Sequence, residues 1–110
     1  MKAKALVLTA VLAVASAGAL AAQQPVDAAA LYAKTCASCH GAQGTPNPAM
    51  ARAMAGIPDF RAASMAAASD SVLRDVITNG KGRMMASYKS RLTPEQIAAL
   101  ARYVKAFSRH

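Results

Sequence analysis

The segment Cys36-Ala37-Ser38-Cys39-His40 constrains this chain more than any other feature. Two cysteines separated by two residues, with a histidine directly after the second, form the attachment pattern of a c-type haem. One helical turn places each thiol where it can form a thioether bond to a haem vinyl group, and the next residue presents its imidazole to the iron. Because the chain has no other cysteine, the pattern predicts one haem c bound covalently through Cys36 and Cys39, with His40 as an iron ligand.

Other sites can use the same two cysteines. A structural zinc site needs about four ligands, and the only further histidine is His110. A redox-active pair of the thioredoxin type would lie in an alternating strand–helix pattern, and the sequence shows no convincing strand. An exported, haem-free protein with a Cys36–Cys39 disulfide is the remaining alternative. It leaves the leader, the loop and the paired methionines described below without a common explanation.

The first residues resemble a secretory leader. Lys2 and Lys4 precede an apolar stretch over residues 5–14, and small residues follow. We predict a signal peptide over residues 1–21, with cleavage after Ala21 and Ala17-Gly18-Ala19 as the second choice. An uncleaved membrane anchor is the less favoured interpretation, because residues 5–22 only approach the spanning minimum and are mostly alanine. In a bacterium, either version places the domain over residues 22–110 in the periplasm.

The predicted domain is small, poor in large apolar side chains, and basic. Cleavage leaves 89 residues without tryptophan, and much of their apolar content is alanine, which buries little surface per residue. We therefore expect a covalently held macrocycle to supply part of the core. Without Lys2 and Lys4, 11 basic and 5 acidic side chains give a net charge of about +6. This charge favours redox partners with acidic docking surfaces or an anionic membrane surface, and a surface that is charged only for solubility explains it as well. Nucleic acid is not expected, because no basic cluster is interleaved with aromatics.

The loop after His40 contains prolines that suggest a role in holding the histidine. An axial histidine needs an acceptor for its Nδ1–H to fix its tautomer and ring orientation. A prolyl carbonyl suits this role, and we favour Pro48, with Pro46 as the second choice. Simple turn chemistry explains the same prolines equally well.

A second loop, over residues 80–88, carries two adjacent methionines in a polar setting. Methionine usually fills gaps in a core, but its thioether is also a soft ligand for haem iron and raises the reduction potential when it lies opposite histidine. The loop therefore supplies a candidate second ligand, Met84 or Met85, and at least one of the two must have only a packing role.

Capping signals predict helices around these loops. Asp27 is expected to cap a helix that ends near Cys36, and Ser69 a helix that stops at Asn79-Gly80. Thr93-Pro94-Glu95-Gln96 has the form of a capping box that opens a last helix. A short helix is expected over residues 49–55. Ile57 and Phe60, which follow it, are expected in the core or the haem pocket.

Taken in order, these features resemble the small bacterial class I c-type cytochromes. The resemblance runs from about Asp27 to Phe107. It implies an all-α fold, in which three to five short helices surround one covalently bound haem. The family pattern at the methionine ligand is Met-Pro-x-aromatic. Met85-Ala86-Ser87-Tyr88 fits that frame with Ala86 in place of proline, so Met85 is the implied ligand and Tyr88 a haem-contacting residue.

The resemblance implies a one-electron carrier, not an enzyme, with iron ligated by His40 and Met85. Membrane contact would then come only through a partner complex. The alternative is a c-type haem protein whose sixth position is open or labile, and which binds small ligands, senses them or reacts with peroxide. The identity of the sixth ligand distinguishes these two functions.

Overall fold

The computed structural model of the protein describes residues 2–13 and 25–109. Residues 2–13 are exposed and form neither helix nor strand. Within the described ranges, no helix has both the length and the apolar character needed to cross a membrane. Both candidate cleavage sites of the predicted signal peptide lie outside these ranges, so the leader remains a prediction.

The domain is built from helices of very different lengths. Within residues 25–109, four of them have six or more residues, and two are single turns of four residues. The only extended pairing among the described residues is an isolated bridge between Lys81 and Met85, so the predicted all-α class is confirmed. In chain order the helices are α1 (Ala28–Thr35), α2 (Ala37–His40), α3 (Pro48–Ala53), α4 (Ala63–Ala66), α5 (Asp70–Asn79) and α6 (Pro94–Ala106), followed by a 3₁₀ turn (Phe107–Arg109).

Three helices begin directly after the capping residues that were predicted for them. Asp27 Oδ1 accepts a hydrogen bond from the Ala30 amide at 3.0 Å, and Ser69 Oγ accepts one from the Val72 amide at 3.2 Å. Thr93 and Gln96 form a reciprocal capping box. These side chains satisfy amide groups that have no partner inside the helix.

Helix α3 differs from its predicted bounds. Asn47 caps it through a 2.8 Å hydrogen bond to the Met50 amide, so the helix begins at Pro48 and ends at Ala53 rather than covering residues 49–55. An asparagine before a proline is a favourable start, because Pro at the first helical position has no amide to leave unpaired.

The core forms where α6 packs against α1 and α5. Tyr32, Phe60, Leu100 and Val104 make up its buried cluster. The Tyr32 ring lies 5.2 Å from the Tyr103 ring and 5.3 Å from the Phe107 ring, between centroids. Because α1 is anchored in this way, the residues directly after it are held at a defined place on the surface of the core.

Candidate functional site

One cavity of about 550 Å³ joins the sequence features that were predicted to carry the chemistry. Its walls come from the end of α1 and the turn α2, from the segment after α3, and from the loop before Tyr88. The lining includes Cys36, Cys39, His40, Met84 and Met85, together with residues 53–58, Lys81, Gly82, Arg83, Ala86, Tyr88 and Thr35.

Both cysteines are placed by the break between α1 and α2. The Cys36 amide still donates to the Tyr32 carbonyl at 2.8 Å, and the Cys36 carbonyl accepts from the His40 amide at 3.0 Å. Cys36 thus ends one helix and begins the next turn, which brings Cys39 to the same cavity one turn later. Both thiols are free and half-buried, and burial raises the pKa of the Cys36 thiol.

His40 lies at the end of α2 with its ring against an aromatic face. The centroids of the His40 and Phe60 rings are 4.5 Å apart and their planes differ by 19°. Desolvation lowers the pKa of His40, which favours the neutral imidazole that a metal ion requires. The Tyr32 hydroxyl donates to the Gly41 carbonyl at 2.7 Å, so the core directly anchors the residue after the histidine.

The hydrogen bond expected between His40 and a prolyl carbonyl is not formed in the structure. The buried Nδ1 of His40 has no hydrogen-bond partner within the described residues, so the expected bond to the Pro48 or Pro46 carbonyl is absent. Pro48 is instead the first residue of α3, where a helical carbonyl points along the axis toward the following turn. Pro58 is the proline that lines the cavity.

The two methionines differ in their surroundings although both line the cavity. Met84 is 63% exposed, whereas Met85 is half-buried. The Met85 carbonyl accepts from the Lys81 amide at 3.0 Å, and the Met85 amide donates back to the Lys81 carbonyl at 3.4 Å. The backbone of Met85 is therefore held at both of its polar groups.

Tyr88, the residue expected to contact the haem, lines the cavity and also contacts its opposite wall. Its hydroxyl donates to the Thr35 carbonyl at 3.1 Å, and the Arg91 guanidinium lies 4.9 Å from its ring centroid.

Sequence reasoning missed two contributors to the site. Met54, half-buried at the end of α3, lines the same cavity as Met84 and Met85. The stacking of Phe60 on His40 was also missed, although Phe60 itself was expected in the pocket or core. The Gly56-Ile57-Pro58 segment could have indicated both contributors, because the chain turns there, after the helix, and residues 53–58 line the cavity.

The donor set fits a haem better than a bare metal ion. Among the described residues, no three His, Cys, Asp or Glu side chains are grouped to hold an ion, as a zinc site would require. His110 lies outside that part of the chain. Two free thiols, an imidazole and a thioether that share one largely apolar cavity are the groups that a covalently attached haem uses.

Comparison with known proteins agrees with this assignment. Residues 23–104 match the protein family described as Cytochrome C oxidase, cbb3-type, subunit III. The chain is 40% identical over 76 residues to cytochrome c-553 of Desulfomicrobium norvegicum (strain DSM 1741 / NCIMB 8310), a match that covers 69% of this chain and 90% of that protein. It is also 35% identical over 86 residues to the Cbb3-type cytochrome c oxidase subunit FixP of Bradyrhizobium sp. (strain ORS 278). That match covers 74% of this chain but only 28% of FixP.

Solved structures show the same fold. The KustC0563 c-type cytochrome superposes with a TM-score of 0.67 at 34% identity, over 74% of this chain and 98% of that one. A mutant of the same protein gives a TM-score of 0.66 at 32% identity. The match to the family model covers most of the chain, and the cytochrome c-553 and KustC0563 matches agree with it. The chain therefore belongs to the cbb3-type subunit III family of cytochrome c domains and is a small class I monohaem cytochrome c.

Proposed function

We propose that this cytochrome is a periplasmic one-electron carrier whose haem is attached through Cys36 and Cys39 and ligated by His40 and Met85. One observation carries the proposal: both thiols, the imidazole and the Met85 side chain line a single cavity. A carrier needs both axial positions filled, so that the iron changes oxidation state without binding anything. Electron transfer, not catalysis, then follows from the ligand set.

The haem, when bound, supplies the reversible Fe(II)/Fe(III) couple. The chain's own residues bind and orient it. Cys36 and Cys39 would hold it at the end of α1, where the Phe60 ring stacks on the imidazole of His40. Residues 53–58 and Tyr88 would cover it with largely apolar surface. The Met85 thioether, as an iron ligand, would raise the reduction potential.

Met85 rather than Met84 is the proposed sixth ligand. A ligand must point into the cavity and keep its position, and Met85 is half-buried with its backbone paired to Lys81. Met84 is largely exposed, which suits a residue on the rim. The frame Met85-Ala86-Ser87-Tyr88 leads to the same choice.

Export and partner choice are part of the proposal. Thioether attachment of haem takes place outside the bacterial cytoplasm, and the predicted leader over residues 1–21 fits that requirement. Lys81 and Arg83 line the cavity, and no acidic residue of the described ranges does. The net positive charge therefore favours donor and acceptor proteins with acidic docking surfaces, in small and short-lived complexes.

The visible spectrum of the holo-protein, made with an active haem-attachment system, tests the proposed ligation. We expect sharp reduced bands, a ferric iron–methionine charge-transfer band, and no prompt reaction of the reduced protein with CO. A high-spin spectrum with prompt CO binding would show an open sixth position and favour ligand binding, sensing or peroxide chemistry. Failure to incorporate haem would refute attachment at Cys36 and Cys39.

A further inference from the structure

Residues 81–86 are named here the methionine loop. The three residues 87–89, named the strap, follow this loop and connect it to the ends of two helices. On one side the strap is bound to the end of α5. Ser87 Oγ donates to the Thr78 carbonyl at 2.6 Å. The amides of Tyr88 and Lys89 donate to the carbonyls of Ile77 and Thr78, each at 3.1 Å. Carbonyls in the last turn of a helix have no partner inside the helix, so α5 offers them to the strap.

On the other side the strap reaches the end of α1. The Tyr88 hydroxyl donates to the Thr35 carbonyl at 3.1 Å, in a partly buried bond between residues 53 positions apart. Thr35 directly precedes Cys36, the first haem-attachment residue. This bond therefore links the wall of the cavity that carries the methionines to the wall that carries the cysteines.

These bonds fix the methionine loop at both of its ends, at the end of α5 and at the strap. Lys81 and Met85 pair across the loop, with the end of α5 before them and the strap after them. If the strap moves away from α1, the loop can swing out with Met85. If the strap stays, Met85 can leave the iron only by a local change inside the loop.

We propose that Tyr88 is a positioning residue, whose hydroxyl bond to Thr35 holds the methionine loop closed and slows the release of Met85 from the haem iron. This inference rests on the proposed ligation by Met85. The Tyr88 ring lines the cavity while its hydroxyl makes the bond, so replacement by phenylalanine removes the bond and keeps the ring.

The test is the rate at which CO binds to the reduced holo-protein of the variant Tyr88→Phe. CO must wait for Met85 to leave, so the rate reports how often the loop opens. Loss of one hydrogen bond should raise the rate about three- to ten-fold. The ferric charge-transfer band should also disappear at a lower temperature than in the wild type.

Tyr103→Phe is the matched control, since it removes the same atom from a tyrosine that packs against Tyr32 and Phe107. It should leave the CO rate unchanged. Ser87→Ala removes the 2.6 Å bond at the α5 end and should raise the rate as Tyr88→Phe does. It also provides the test if Tyr88→Phe fails to take up haem.

The outcomes separate this inference from the proposed ligation. A wild type that binds CO promptly and lacks the charge-transfer band would refute Met85 as ligand. A wild type that resists CO, with Tyr88→Phe and Ser87→Ala behaving identically to it, would refute the role of the strap alone. Equal acceleration in Tyr88→Phe and Tyr103→Phe would also refute it, because the effect would then come from general loosening of the fold.

Discussion

The imidazole of His40 is constrained by a ring face. Its Nδ1 is buried without a hydrogen-bond partner in the described part of the chain. The Phe60 ring stacks on the imidazole, with the two ring centroids 4.5 Å apart. Phe60 is itself held in place, because its amide donates to the Gly44 carbonyl at 2.9 Å. Asp59 also braces this segment by accepting from Thr45 Oγ1 at 2.8 Å. Stacking of this kind limits rotation of the imidazole.

Replacement of Phe60 by leucine should therefore loosen the orientation of His40. The low-spin ferric EPR spectrum of holo-protein Phe60→Leu should broaden, because the imidazole then adopts several angles. Phe107→Leu is the control, since Phe107 packs on Tyr32 and Tyr103 in the core. Both variants should lose roughly 1–2 kcal/mol of unfolding free energy. An unchanged EPR spectrum in Phe60→Leu would mean that the stack does not position the ring.

At the scale of the elements, the backbone of the methionine loop packs directly against the end of α5. Gly80 ends this helix with a φ of +76°, a conformation that residues with a side chain disfavour. A Cβ added there would lie 2.5 Å from the Met85 carbonyl oxygen and 2.8 Å from the backbone of Ala86. Glycine is thus required at this position for two reasons, the backbone angle and the close approach of the loop.

Gly80→Ala should displace the loop, whereas Gly82→Ala should only strain its own backbone. Gly82 also has a positive φ, of +62°, but an added Cβ would meet no atom within 4 Å. We expect Gly82→Ala to cost about 1 kcal/mol and to keep the charge-transfer band. Gly80→Ala should cost more and weaken the band. Chemical denaturation and the ferric spectrum of both variants check this prediction. Equal effects in the two variants would show that the close approach of the loop to Gly80 does not matter.

At the scale of the whole molecule, the core of the chain alone is small. Seven hydrophobic side chains are buried in the described residues, and two of them are alanines. The cavity remains between the core and the loops, so the apolar surface that lines it faces solvent unless haem covers it. A domain of this size has only a small free energy of unfolding.

We therefore expect the haem-free protein to be largely unfolded. The double variant Cys36→Ala/Cys39→Ala should show no cooperative thermal transition in far-UV circular dichroism, whereas the wild-type holo-protein should show one. Cys36→Ser/Cys39→Ser, which also prevents attachment but retains polar groups of similar size, should behave in the same way. A native-like cooperative transition in either double variant would show that the chain folds without its cofactor.

The sequence by itself determined those features that depend on neighbouring residues. The spacing of Cys36, Cys39 and His40 defines one helical turn, and the caps Asp27, Ser69 and Thr93 act within three residues of where they stand. These local interactions need no knowledge of the rest of the chain. The helical class and the haem-attachment motif could therefore be predicted from the sequence.

Only the tertiary structure decided which distant residues meet. Proline chemistry alone did not distinguish Pro48, at the start of α3, from Pro58, at the cavity wall. The stack of Phe60 on His40 and the bond from Tyr88 to Thr35 join residues 20 and 53 positions apart. Contacts of this range depend on how α1, α5 and α6 pack, because packing, not local preference, sets the distances between loops.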